Sequence, residues 1–174
     1  MPHWCLDPRR AYRFWGLGEY HYTAPVPGIL ALHEALRLIC EETLEKRFER
    51  HLHSSTLLQH SLELMGLEMY TPAEFRLNSV VAIKNPHKVV TKDLISYMIN
   101  HHQVEISGAF GLDIIRIGQM GEQCRLENVK KVISAVGAGY AHFGVKLDVH
   151  SALSELEKSR ESEIALELAL GMTL

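Results

Sequence analysis

Short β-rich runs interrupted by one helical segment occupy the middle of the chain, and this order constrains the fold more than any other feature. Runs bounded by glycine, proline or asparagine predict four strands: LEMY (67–70), SVVAIKN (79–85), QVEISG (103–108) and DIIRIGQ (113–119). Between the second and third runs, TKDLISYMINHH (91–102) predicts a short helix with Thr91 as its N-terminal cap. The pattern therefore indicates a small sheet combined with helices.

Amphipathic helices are predicted on both sides of these runs. Apolar residues recur every three to five positions from Pro27, then over 48–65 with Gly66 as a C-terminal cap, over 126–143, and for a turn or two in 148–160. The order is helix, helix, strand, strand, helix, strand, strand, helix. It predicts an α+β fold in which a small, mostly antiparallel sheet is covered by helices on one side.

Three segments follow from the composition along the chain. Residues 1–26 are aromatic and broken by proline and glycine, so we interpret them as a lead-in segment that packs on something else. Residues 27–160 form the predicted folded domain. The acidic residues 161–174 are predicted to fray.

The overall composition excludes several classes of protein. A net charge of −3 gives no basic face for nucleic acid. No run approaches the roughly 18 apolar residues that a membrane span requires. The three scattered cysteines suit reduced thiols, no secretory leader is recognisable, and the C-terminal GMTL is not a peroxisomal Ser-Lys-Leu signal. We expect a cytoplasmic protein.

The eleven histidines do not form a recognisable metal site. His51 and His53 would point about 200° apart on a helix, and the chain has no HExxH and no paired CxxC. We interpret them as surface residues. His101 and His102 lie at a predicted helix end, where imidazoles interact favourably with the helix dipole.

Two stretches carry candidate binding residues, each with a structural alternative. Arg116 lies within a run that reads as a mostly buried strand, so it could bind a carboxylate in bidentate fashion, pair internally with Asp113 or Glu105, or point to water at a sheet edge. The YHYT stretch, with Tyr20 and Thr23, could donate hydrogen bonds to a phosphate or form an aromatic plug at an interface.

Taken together, several stretches resemble the C-terminal part of class V aminotransferases of the alanine–glyoxylate and serine–pyruvate group. The resemblance rests on FWGLGEYHYTAPVPGILALHEALRLICEETLEKRFERH, VEISGAFG and IIRIGQMG in the same order, and it spans about residues 6–156. One departure is Gly108-Ala109, where the family usually has two glycines.

The resemblance implies the small domain of a fold-type I transaminase that depends on pyridoxal phosphate. Arg116 matches the arginine that binds the substrate α-carboxylate. Tyr20 and Thr23 match residues that hydrogen-bond the cofactor phosphate of the neighbouring subunit, which implies a homodimer. The implied reaction transfers an amino group from alanine or serine to a 2-oxo acid such as glyoxylate or pyruvate.

The family's cofactor-binding lysine has no counterpart here, because no lysine precedes Tyr20. We therefore expect no catalytic lysine in this chain, and activity only together with a large domain or a full-length aminotransferase. The alternative is a non-catalytic module that docks on a full-length aminotransferase through residues 12–23. An independent enzyme based on the histidines is the least favoured hypothesis.

Overall fold

The computed structural model describes residues 3–86 and 88–169. These residues divide into two units, Met1–Leu44 and Glu45–Leu174. The predicted division into a lead-in segment and a small domain at residue 26 stays a prediction.

Two helices make up most of the N-terminal unit. Helix α1, Pro8–Leu17, was not predicted; it begins at a proline, the Asp7 side chain accepts a hydrogen bond from the Arg9 amide at 3.0 Å, and it ends at Gly18, whose φ is 71°. Helix α2, Val26–Glu42, confirms the helix predicted from Pro27. None of the residues of α1 or α2 is buried, although both helices carry large apolar side chains.

The C-terminal unit contains the sheet. Its elements, in chain order, are α3 (Leu44–Leu64), β1 (Val80–Lys84), α4 (Thr91–His102), β2 (Ser107–Ala109), β3 (Leu112–Gly118), α5 (Leu126–His142) and α6 (Val149–Ala169). The strands pair in the order β1-β3-β2, and both pairings are antiparallel. This arrangement confirms the predicted α+β fold with a small antiparallel sheet.

One face of the sheet carries the core. Val81 and Ile83 of β1 lie opposite Ile117 and Ile115 of β3, and all four are buried. Because neighbouring residues in a strand point to opposite faces, these four share one face. They join one apolar cluster with residues of all four helices of this unit: Leu58, Leu62, Leu94, Met98, Val129, Ile133, Val136, Ala152 and Leu156. The helices therefore cover this face, as predicted.

Two of the predicted strands are shorter in the structure. The run 67–70 contributes only an isolated bridge between Met69 and Ile83. In the run 103–108, only the last two residues enter β2. Gln103 adopts φ 54° at the end of α4, and Val104 and Ile106 are then buried in the core outside the sheet.

Of the two predicted helix caps, the one at Gly66 is confirmed and the one at Thr91 is wrong. Gly66 ends α3 with φ 92°, and the Leu67 amide reaches the Leu62 carbonyl at 3.0 Å, which confirms the predicted cap. The prediction that Thr91 caps α4 was wrong, because Val90 precedes the helix and the Thr91 hydroxyl bonds to a distant residue instead. His101 and His102 lie in the last turn of α4, as predicted.

The C-terminal helix is longer than the sequence indicated. Helix α6 continues past residue 160 to Ala169, and the remainder of the predicted frayed tail, 170–174, lies outside the described residues. Within the described ranges, no helix combines the length and apolar character that crossing a bilayer requires.

Two glycines let α5 pack closely on its neighbours. A Cβ at Gly137 would lie 2.2 Å from Val149 Cγ2, and one at Gly139 would lie 2.6 Å from Leu94 Cδ1.

We expect Gly137→Ala to lower the free energy of unfolding by about 1–3 kcal/mol, since overpacking a close contact forces its neighbours apart. Urea denaturation measures the change. Gly28→Ala is the control, because the nearest atom to its new Cβ would be 4.0 Å away; equal losses in both variants would contradict the close packing.

Candidate functional site

The two hydroxyl groups predicted to bind phosphate lie side by side in the N-terminal unit. Helix α1 ends at Gly18, and the next seven residues form no regular element. In this segment the Tyr20 hydroxyl lies 3.2 Å from Thr23 Oγ1, and the Tyr20 side chain is 79% exposed. Two adjacent exposed hydroxyls can donate to the same oxyanion.

A cleft of about 540 Å³ lies beside Tyr20, and its lining has a net positive charge. Its charged lining residues are three arginines and two carboxylates: Arg9, Arg10, Arg13, Asp7 and Glu19. Four of these form two ion pairs, Arg9 with Asp7 and Arg13 with Glu19. The hydrogen bonds from Arg9 hold the pKa of Asp7 below its usual range.

The fifth of these charged residues, Arg10, stacks on an aromatic ring instead of pairing with an acid. Its guanidinium carbon lies 3.7 Å from the centre of the Trp4 ring. One positive charge in the cleft is therefore not balanced by a carboxylate of the lining. An anion is the ligand that such a lining favours.

His21 lies in the same segment with its ring nitrogens buried. The imidazole packs between Trp4 and Tyr22, with ring centres 5.1 and 4.7 Å away. Neither ring nitrogen has a hydrogen-bond partner among the described residues. Buried polar groups are normally hydrogen-bonded, so His21 is an exception in this segment.

Arg116 lies in the middle of β3 on the face of the sheet opposite the core. Ala82 and Ser107 are its partners on the two neighbouring strands. Ile115 and Ile117, on either side of it in the chain, face the core, and the strand's alternation turns Arg116 outward, where it is exposed. The interpretation of this run as mostly buried is therefore wrong for Arg116.

Only part of the Arg116 guanidinium is engaged within the chain. Its Nε donates a hydrogen bond to the Gly108 carbonyl at 2.8 Å. The internal ion pair with Asp113 or Glu105 is not formed among the residues that the structure describes. The terminal nitrogens Nη1 and Nη2, which form the outer edge of the guanidinium, have no partner there either.

The hairpin between β2 and β3 sets this geometry. Gly111, with φ 71°, makes the turn, and Phe110 at its tip is fully exposed. Ser107 then lies opposite Arg116, which brings the next carbonyl, that of Gly108, within reach of Nε. The glycine-rich ISGAFG stretch thus turns the chain between two strands.

A polar cluster next to this hairpin, in which Asn85 and Tyr140 are buried, was not predicted. The Asn85 side chain is the centre: its Nδ2 lies 2.7 Å from the Val89 carbonyl and 3.0 Å from Asp113 Oδ1, and its Oδ1 accepts from the Tyr140 hydroxyl at 2.9 Å. Burial, and the negative charge of Asp113, raise the pKa of Tyr140 far above its usual range. Tyr140 therefore acts as a neutral hydrogen-bond donor.

Comparison with known proteins gives several relatives. No family model matches the chain. The alanine–glyoxylate aminotransferase of the rabbit Oryctolagus cuniculus is 35% identical over 146 residues, which are 79% of this chain and 37% of the relative. The chain thus spans about a third of the length of the curated relatives it matches.

Solved structures show the same similarity. The ureidoglycine–glyoxylate aminotransferase of Bacillus subtilis superposes with a TM-score of 0.82 at 28% identity, covering 89% of this chain and 41% of that one. The alanine–glyoxylate aminotransferase of a Nostoc species gives 0.73 at 33% identity, covering 79% and 37%. The matching region is the C-terminal part of these proteins.

Proposed function

We propose that this chain belongs to the class V aminotransferases, whose alanine–glyoxylate group it matches in the C-terminal part, and that it supplies substrate- and phosphate-binding residues of a transaminase. The reaction moves the amino group of a small amino acid, alanine or serine, to a 2-oxo acid such as glyoxylate or pyruvate. The chain is inactive alone and works with a large domain or a full-length aminotransferase.

The observation that carries this proposal is the hydrogen bonding of the Arg116 guanidinium. Its Nε is bound to the Gly108 carbonyl, while Nη1 and Nη2 form an outer edge with no partner in the described chain. A carboxylate binds such an edge through two parallel hydrogen bonds. In this role Arg116 orients the amino acid so that its amino group faces the reacting partner.

The segment with Tyr20 and Thr23 fits the phosphate of the family's cofactor, pyridoxal phosphate. That cofactor accepts the amino group and withdraws electrons from the substrate α-carbon when bound. Here the paired hydroxyls at 3.2 Å and the net positive cleft beside them suit a dianion. We propose that they bind the phosphate held by a neighbouring subunit in a homodimer.

A chimera tests the proposal. The full 174-residue chain is joined behind the part of the rabbit relative that precedes the matching region, and pyruvate formation from L-alanine and glyoxylate is followed. We expect a dimeric, active chimera and no activity from the chain alone with added pyridoxal phosphate. Activity of the chain alone, or a folded, dimeric and cofactor-loaded chimera without activity, would contradict the proposal.

The phosphate-binding role of the hydroxyl pair has its own expected result. In the chimera, Tyr20→Phe with Thr23→Val is expected to raise the dissociation constant for pyridoxal phosphate by about ten- to a hundredfold, since two hydrogen bonds to a charged group are lost. Titration of the cofactor-free chimera with pyridoxal phosphate, followed by absorbance, measures it. Tyr12→Phe, a change at another exposed tyrosine, is the control; equal dissociation constants in both variants would rule out this role.

The alternative is a non-catalytic module that docks on a full-length aminotransferase. The exposed aromatic residues of the N-terminal unit favour it, with Tyr12 65% and Trp15 75% exposed. In this case the chain would co-elute with the full-length relative in size-exclusion chromatography, and the chimera would be inactive. Trp15→Ser would abolish the co-elution.

A further inference from the structure

Thr91 links the polar cluster around Asn85 to the hairpin that holds Arg116, beside the direct hydrogen bond from Asn85 to Asp113 of β3. Its hydroxyl donates to Asp113 Oδ1 at 2.9 Å and accepts from Asn85 Nδ2 at 3.0 Å. Asn85 is in turn held by Tyr140, and the Asp113 carbonyl accepts from the Asn85 amide at 3.1 Å. Two hydrogen bonds therefore hold the Thr91 hydroxyl.

The methyl group of Thr91 faces the backbone of Gly108. A Cβ built on Gly108 would lie 3.0 Å from Thr91 Cγ2, closer than ordinary van der Waals contact allows. A side chain on Gly108 would therefore require Thr91 to move by a few tenths of an ångström. The Gly108 carbonyl is the group that accepts the hydrogen bond from Arg116 Nε.

We propose that Thr91 is a positioning residue for Arg116, acting through the backbone of Gly108. The cluster of Asn85, Asp113 and Tyr140 fixes Thr91, Thr91 supports Gly108, and the Gly108 carbonyl holds Nε. This inference rests on the proposed function of Arg116.

The binding geometry follows from this support. Because Nε is occupied, a carboxylate cannot use the side of the guanidinium formed by Nε and one terminal nitrogen. It must approach end-on, along Nη1 and Nη2. Thr91 therefore selects one of the two bidentate orientations and fixes the direction in which the substrate extends from Arg116.

The test uses the full 174-residue chain and the Nε–H proton of Arg116 in nitrogen-15 NMR spectra. In the unchanged chain this proton is expected to exchange slowly with water. Gly108→Ala places a methyl against Thr91, and we expect exchange about tenfold faster, the effect of losing one hydrogen bond. Thr91→Ser removes the facing methyl, so the double variant Gly108→Ala with Thr91→Ser is expected to regain slow exchange.

Thr91→Val is the second variant, since it keeps the shape and removes the hydroxyl. It is expected to speed Nε–H exchange. Thr71→Val is expected to leave the exchange unchanged, because Thr71 is a half-buried residue at a bend and its hydroxyl has no hydrogen bond among the described residues. Slowly exchanging amides of α5 show that each variant is folded. Unchanged Nε–H exchange in Gly108→Ala and Thr91→Val, or no recovery in the double variant, would overturn the proposal.

Different results would contradict the proposed function of Arg116 and the inference about Thr91. The exchange of Nε–H reports on the position of Arg116 whether or not the chain takes part in catalysis. Coupling to Thr91 without any effect of Arg116 on alanine kinetics in the chimera would remove the proposed function and leave only a structural link. Absence of the coupling would remove the inference about Thr91 alone.

Discussion

Arg116→Lys in the chimera is expected to lower kcat/KM for L-alanine by roughly a hundredfold or more, because lysine offers a point charge in place of two parallel donors. The loss should appear in kcat as well as in KM, since a substrate held in the wrong orientation reacts slowly even when bound. Steady-state kinetics with L-alanine and glyoxylate measure both constants.

A matched control separates this role from a general effect of removing an arginine. Arg125 is also exposed, but it is paired with Glu122 at 3.0 Å. Arg125→Lys is expected to leave kcat/KM unchanged, because ion pairs at the surface contribute little. Equal losses at positions 116 and 125 would show that Arg116 has no special part in binding the substrate.

The second large effect is on stability. Asn85→Leu leaves the fully buried Tyr140 hydroxyl and the Val89 carbonyl without their partner. We expect the free energy of unfolding to fall by about 2–4 kcal/mol, since unpaired buried polar groups keep their desolvation cost. Urea denaturation of the 174-residue chain measures it.

The double variant Asn85→Leu with Tyr140→Phe tests whether the two side chains interact. Removing the Tyr140 hydroxyl as well should recover about 1 kcal/mol or more, because an apolar pair leaves fewer groups unpaired than a half-broken one. Strictly additive losses would mean that the two side chains do not interact, which would also weaken the support proposed for Thr91.

Much of the fold was predictable because its signals are local. Apolar periodicity predicted α2, α3 and α5, and Gly66 marked the end of α3. Helix α1 was missed because proline and glycine were interpreted as breaking this aromatic segment, although its apolar residues lie on one side of the helix. The sequence nevertheless contains the residues that mark its ends: Asp7-Pro8 at the N-terminus of the helix and Gly18 at its C-terminus.

The candidate site was less predictable because its geometry depends on strand pairing. The sequence around Arg116 suggested burial, but the face on which it lies follows from its register against Ala82 and Ser107. Similarly, Thr91 was predicted to cap its own helix, whereas its hydroxyl bonds to Asp113, 22 residues away. Short-range patterns cannot predict such long-range partners.

Two amines that differ by the carboxylate, L-alanine and ethylamine, test most directly whether Arg116 binds the substrate carboxylate in the chimera. If Arg116 binds that carboxylate, Arg116→Gln should lower kcat/KM for L-alanine by about a hundredfold or more and leave the value for ethylamine unchanged. The preference for L-alanine over ethylamine would then largely disappear. A variant that keeps this preference would show that the substrate carboxylate is bound elsewhere.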